Sequence, residues 1–508
     1  MYLAKIPYNI SKTKNEIVAM RGINWADTIQ DGDLLDSLNL SARRYPYITT
    51  RRGRMKMDGY ENITALTAWG KLVAVQGTDL LYDREVVGTV TEGEKQFAVV
   101  NTKMVIFPDM VYLDMGTKEI KPLGAQMKSS KTVFTTSTIK VTGENLTKKF
   151  VVGDAVTISG CTAQTANNKS VVIKALTSDT ITVAANALTA ATETATVTLE
   201  RKIPDLDFIC ESENRLWGCS SKDQTLYASA LGDPTNFFVY QGLSTDSYAL
   251  AVGTEGDFTG CCKLASSVLF WKETKLHKML GGYPAEYSLY TYDIEGLQKG
   301  GHKSMQVINE VLYYTGIHGV YAYSGGTPTL ISANFGDKEF SGGVGGNDGD
   351  SYYLSMMEGE KPHLMVYEIT SGIWVREDGT RATDFTRIGK DLYFLADGFV
   401  WLADSGDSDG DMLWLAQFAP FYETMSGRKS YSRILLRMEL PKGSWMKAEV
   451  RADGGMWKEC GRVVGKEHDV VPMRISVNRC DKFEIRLSGK GACTVLSVLR
   501  EFSVGSDV

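Results

Sequence analysis

The sequence predicts an all-β protein: a divergent β-propeller of about seven blades, with an inserted small β-barrel or Ig-like domain and a C-terminal β-sandwich-like region. Three observations predict this. The chain holds 50 Gly, 24 Tyr and 9 Trp against only 12 Pro, a mixture that supplies half-buried strands and tight turns. A loose strand, turn, aromatic strand, turn unit recurs along it. Helical periodicity is almost absent between these units.

The recurring unit appears seven times, at 71–88, 102–124, 214–237, 266–287, 310–332, 361–378 and 390–406. Setting one large insertion aside, successive starts fall at the spacing of propeller blades with about four strands each. In the fifth unit, Leu312, Tyr314, Val320, Tyr321 and Tyr323 mix alternation with continuous apolar runs, as strands packed between neighbouring sheets do. Residues 61–127 and 201–418 are therefore read as the two parts of the propeller.

Between them, residues 128–200 are rich in Thr and nearly free of aromatics, and read as an inserted small β domain. Residues 419–508 form a C-terminal β region. There Arg433, Leu435, Arg437 and Glu439 alternate with Ile434, Leu436, Met438 and Leu440, one face wet and one dry. Residues 1–60 show neither period and read as an extended arm laid along other structure.

At 508 residues the chain exceeds what one ordinary core organises. Its net charge of −6 argues against a surface that coats nucleic acid throughout. The start, MYLAKIPYNISKTKNE, lacks a signal-peptide core, and no run of 18 apolar residues occurs, so a soluble product made in a cytoplasm and without membrane contact is expected. The eight cysteines are widely spaced without a CxxC pair and read as reduced core residues.

Chemistry-bearing patterns are sparse. His277, His302, His318, His363 and His468 stand singly, without the HxxxH or HExxH spacing of metal ligands. Asp404, Asp407, Asp409 and Asp411 resemble a calcium loop, but the EF-hand frame places Ala416 where its bidentate Glu belongs. The stretch 342–351, GGVGGNDGDS, has no GxGxxG or GK[ST] pattern and reads as a flexible loop. No catalytic residue, cofactor or metal is assigned, and a non-enzymatic protein is expected. A carboxylate pair for glycoside hydrolysis needs only proximity in space, so a carbohydrate-binding adhesin or glycosidase on the propeller is the alternative.

The strongest charge feature is a run with no acidic residue: Arg43, Arg44, Arg51, Arg52, Arg54 and Lys56, interleaved with Tyr45 and Tyr47. These six are candidates for docking a partner subunit or for contacting DNA phosphates, partner docking being the preferred reading in an acidic chain.

The segment ENRLWGCSSKDQTLYASALGDPTNFF (213–238) resembles a motif of bacteriophage tail nozzle and tail tubular proteins. The arm NLSARRYPYITTRRGR and the ending RLSGKGACTVLSVLREFSVGSDV are similar to their termini. The resemblance implies a structural virion protein, assembled in a host bacterial cytoplasm into a homomeric ring, commonly six subunits, that closes or guides the DNA channel of a tail. Copies of itself, adjoining tail, adaptor or portal subunits, and genomic double-stranded DNA would be its partners. Within the motif, Leu216 and Trp217 are expected in a core strand, and Asp233, Pro234 and Asn236 in a structural turn.

Overall fold

The computed structural model describes residues 12–406, 410–423 and 427–504, and no side chains at 467–469. Among the described residues every helix is a single three-residue 3-10 turn, and all other regular structure is strand. The chain divides into two compact units, residues 1–70 with 303–508, and residues 71–302.

Four-stranded antiparallel meanders dominate both units, and the fold is a divergent β-propeller. The second unit holds the sheets Gln96–Pro122, Phe208–Ala251 and Gly260–Asp293, together with Lys71–Gln76, Asp79–Tyr82 and Glu85–Thr89. The first strand of each complete meander packs against the first strand of the next. The first unit holds the sheets Gln306–Leu330 and Ser341–Asp378, then Ala382–Ile388, Asp391–Ala396 and Phe399–Leu402. Again the first strands stand side by side, and Ile63–Trp69 packs on Ala382–Ile388. Stacking sheets in this way covers both faces, which explains the continuous burial of Leu312 to Gly316 and of Tyr352 to Met356.

The glycine-rich stretch that reads as a flexible loop is instead the strand Ser341–Asn347. The physical reason lies in its neighbours. A Cβ on Gly345 would stand 2.5 Å from the Ser304 carbonyl oxygen, and one on Gly346 2.4 Å from the Phe385 ring. Glycine here lets one sheet approach the next, a demand that composition alone cannot distinguish from flexibility.

The insertion comprises two small sheets. One runs Ala125–Ser129, Val197–Arg201, Ala155–Ser159, Ser170–Val172. The other joins Thr132–Phe134, Thr138–Val141 and three short strands. They close on Phe134, Ile139, Val141, Phe150, Val156, Ile158, Ile181 and Leu199.

The C-terminal region is a sandwich of two six-stranded sheets, and the N-terminal arm supplies strands to both. Asp33–Leu38 pairs with Leu413–Phe418, Ile48–Thr50 with Thr494–Val504, and Thr13–Ile17 with the same long strand. Met55–Lys56 then becomes the outer strand of the last meander, beside Phe399–Leu402. Ile434, Leu436, Met438 and Leu440 face the core. Trp374 lies at the junction, fully buried among Phe335, Tyr352 and Tyr367, and its indole N–H donates to Ile331 O at 2.8 Å. Truncating such a side chain costs about 3–5 kcal/mol.

Replacing Gly345 by alanine should lower stability by about 1–3 kcal/mol, because backbone must move to admit the methyl group. Denaturant unfolding checks this, and an unchanged midpoint would place the two strands farther apart than described.

Candidate functional site

The first unit carries a cleft of about 420 Å3 where the arm crosses the sheet Ser341–Asp378 and the sandwich. Its walls combine Arg43, Arg44, Arg51 and Arg52 with Glu368, Glu377, Asp404 and Glu439, and Tyr353 joins them. Strand pairing sets this arrangement. Leu40–Ser41 and Ile48–Thr50 pair with each other, so the turn between them projects Arg43 and Arg44. Glu368 and Glu377 come from the adjacent strands Lys361–Glu368 and Ile373–Asp378.

Arg43 is the hub. Its guanidinium meets Asp348, donates to the Tyr353 hydroxyl at 3.0 Å, and lies 3.5 Å from Glu368 and 3.7 Å from Asp404. Burial raises the Glu368 carboxyl above its usual range, although the Ser351 hydroxyl donates to it at 2.8 Å and Arg43 also favours its ionised form.

The other residues of the basic run have distinct surroundings. Arg44 pairs with Glu439 at 2.7 Å and reaches Thr494. Arg51 donates to Asn39 at 2.7 Å. Arg52 is two-thirds exposed and 3.3 Å from Asp404. Arg54 is internal: only 10% of its side chain is exposed, with Glu377 at 2.6 Å and Asp378 at 2.7 Å. Lys56 sits over the Phe399 ring at 3.3 Å. Sequence spacing exposed the cations but not the carboxylates that face them, because those lie 305 to 395 residues away in the chain.

Of the calcium candidates, Asp407 and Asp409 lie outside the described residues. Asp404 faces Arg43 and Arg52, and Asp411 pairs with Lys490 at 2.5 Å. Among the described residues no group of three or more His, Cys, Asp or Glu could hold a metal ion.

The histidines whose side chains are described stay apart. His318 is exposed in a turn, and His302 stands beside Phe208 and Glu94. His363 is buried against Glu358 at 3.0 Å, and the side chain of His468 lies outside the described residues. His277 is fully buried, with the Thr254 and Thr291 hydroxyls at 2.9 and 2.8 Å from its two ring nitrogens. Burial, with Lys272 and Lys275 nearby, pushes its pKa down to about 4.

In the RLW motif, Leu216 and Trp217 are buried in the strand Arg215–Ser220. Arg215 is buried with them and donates to the carbonyls of Ser229, Asp246 and Ser244. Asp233 and Asn236 form the turn that follows.

Neither a protein-family model nor a curated protein sequence matches the chain. Solved structures similar to it include an exo-beta-1,3-galactanase from Phanerochaete chrysosporium (9% identity, 56% of this chain and 92% of that one, TM-score 0.22). Another is Kluyveromyces lactis Hsv2 (14%, 39% and 60%, TM-score 0.28). A third is the extracellular domain of the one-component system BT4673 from B. thetaiotaomicron (8%, 90% and 62%, TM-score 0.38). At these values none of them decides what this chain binds.

Glycoside hydrolases stand among these similar structures, and the expectation of a non-enzymatic protein, which rested on the lack of a catalytic motif, is withdrawn. The physical reason is that paired-carboxylate catalysis leaves no spacing in a sequence, so lacking a catalytic motif excludes nothing.

Two predictions follow from these placements. Arg54→Ala should cost about 3–5 kcal/mol, because it strands two buried carboxylates, whereas Arg52→Ala should stay within about 0.5 kcal/mol of the parent; thermal melts separate the two. Between pH 6.5 and 4 the unfolded chain takes up a proton that buried His277 refuses, so stability should fall on acidification through that window, by on the order of 3 kcal/mol. Melts of His277→Gln across the same range should show a correspondingly shallower fall.

Proposed function

We propose that this propeller protein binds a carbohydrate, with the cleft between the arm and the sheet Ser341–Asp378 as its site. The observation that carries this is the charge balance of the lining, four arginines against four carboxylates. A hydroxyl both donates and accepts, so a polyhydroxylated ligand matches walls that alternate guanidinium and carboxylate groups. A phosphate polyanion needs uncompensated cations, which these arginines, each facing a carboxylate or amide of its own chain, do not offer. The cleft volume also lies in the range of small-ligand sites.

Arg43 lies 3.5 Å from Glu368 and 3.7 Å from Asp404, so it engages both of the cleft carboxyls that a hydrolase would have to pair across a glycosidic bond. Binding is therefore the role that the resting geometry favours, and hydrolysis would require Arg43 to swing aside. The phage-tail ring reading rests on the resemblance of the motif at 213–238, of the arm NLSARRYPYITTRRGR and of the ending RLSGKGACTVLSVLREFSVGSDV, and is distinguished by the same preparation.

Screening the full chain on a glycan array, followed by calorimetry, tests the proposal, with product analysis of each retained glycan scoring hydrolysis. Retained glycans should bind about tenfold or more weakly to Arg43→Ala, which removes the central donor of the cleft, and to Glu368→Gln, which removes the charge facing it. No retained glycan, or affinity unchanged in both variants, overturns the site. Closed rings in negative stain without glycan affinity would favour the virion reading instead.

A further inference from the structure

The second unit contains another cleft, of about 410 Å3, between the inserted module and the loop after the strand Thr225–Ala228. We propose that it binds an anionic saccharide, one bearing carboxylate or sulfate groups. This stands independently of the site proposed above and rests on different residues.

The two walls are fixed relative to each other. Asn236 donates to Asp154 Oδ1 at 3.2 Å and accepts from the Ala155 N–H at 3.1 Å. Asp154, fully buried, is paired with Arg201 at 2.7 Å, and Arg201 donates to the Leu123 carbonyl at 3.0 Å. A buried, satisfied network of this kind defines one arrangement of module and loop, so the cleft between them is preformed. The turn Asp233–Asn236, read from sequence as structural, thus also positions a binding surface.

The lining is unlike that of the first cleft. It has an apolar floor including Val171, an exposed aromatic ring at Tyr240 beside Phe238, the ammonium groups of Lys169 and Lys174, and no carboxylate. The Tyr240 hydroxyl donates to Phe237 O at 3.2 Å, which holds the ring in place while leaving it more than half exposed. Lys174 donates to Gln241 Oε1 at 2.6 Å, a neutral acceptor. Among the described residues neither lysine has a carboxylate partner.

An exposed ring held at its hydroxyl offers a face for the C–H side of a sugar, and two ammonium groups without carboxylate partners in the same lining select for negative charge. Only two cations stand there, on a chain of net charge −6, too few for sustained binding of a nucleic acid backbone.

Calorimetry on the full chain with oligogalacturonate, a sulfated oligosaccharide, a neutral cello-oligosaccharide and oligothymidylate tests the proposal. Oligogalacturonate or the sulfated probe should bind, each being weakened by added salt, and comparison of the two identifies the preferred anion. Lys169→Ala/Lys174→Ala and Tyr240→Ala should each weaken that binding by about tenfold while melting like the parent, and Arg43→Ala should leave it unchanged. Equal binding of the neutral probe, tighter binding of oligothymidylate, binding insensitive to the lysine and tyrosine changes, or failure of both anionic probes would overturn it.

Discussion

Backbone hydrogen bonds between the N-terminal arm and strands more than 300 residues away hold the first unit together. Asp33–Leu38 lies beside Leu413–Phe418, Met55–Lys56 closes the last meander, and Ile48–Thr50 borders Thr494–Val504. Pairing across such separations carries a large loop-closure entropy, so each arm strand must recover it locally. Side-chain contacts contribute here. Ser37 exchanges hydrogen bonds with the backbone of Arg376, and Asp36 pairs with the Arg376 guanidinium at 2.6 Å. The cleft proposed as a carbohydrate site exists because the arm is a set of strands rather than a loose tail.

Buried charge shows the same economy. Arg500 is fully buried, with Glu423 at 2.7 Å, Asp31 at 2.6 Å and the Phe421 ring 3.9 Å beneath its guanidinium. Removing either member of such a pair is costly because the other remains desolvated. Arg500 therefore ties the arm, through Asp31, to the last strand of the chain. Arg54 does the equivalent for the meander next to it. Arg43 differs, since Tyr353, Glu368 and Asp404 around it line an open cleft.

Much of the fold was legible because period-two alternation and recurring turn residues report burial directly. The strand Lys429–Leu440 shows this, with its even positions from Ile434 to Leu440 facing the core. Strands that bury both faces read as short apolar runs, as in Leu312–Tyr314. The failures have equally specific causes. The stretch 342–351 reads as a flexible loop, although its first part is a strand, because glycine signals both flexibility and close approach, and only the neighbouring Ser304 and Phe385 decide between them.

The arm read as extended, but its partners could not be named, since pairing register is a property of two segments at once. For the same reason the first cleft was half visible. A cationic run is plain in a sequence, whereas Asp348, Glu368, Glu377 and Glu439 are ordinary acidic residues until the fold brings them to it. The second cleft left no signal, as Lys169, Lys174 and Tyr240 belong to segments with no shared pattern.

Hydrogen exchange followed by mass spectrometry, resolved over residues 33–56, tests most directly whether the arm is part of the fold. Amides of Asp33–Leu38 and Ile48–Thr50 should be protected as deeply as those of Leu413–Phe418 and Thr494–Val504, opening only when the sandwich opens. Exchange of the arm within seconds, while the sandwich strands stay protected, would contradict the account and remove one wall of the first cleft.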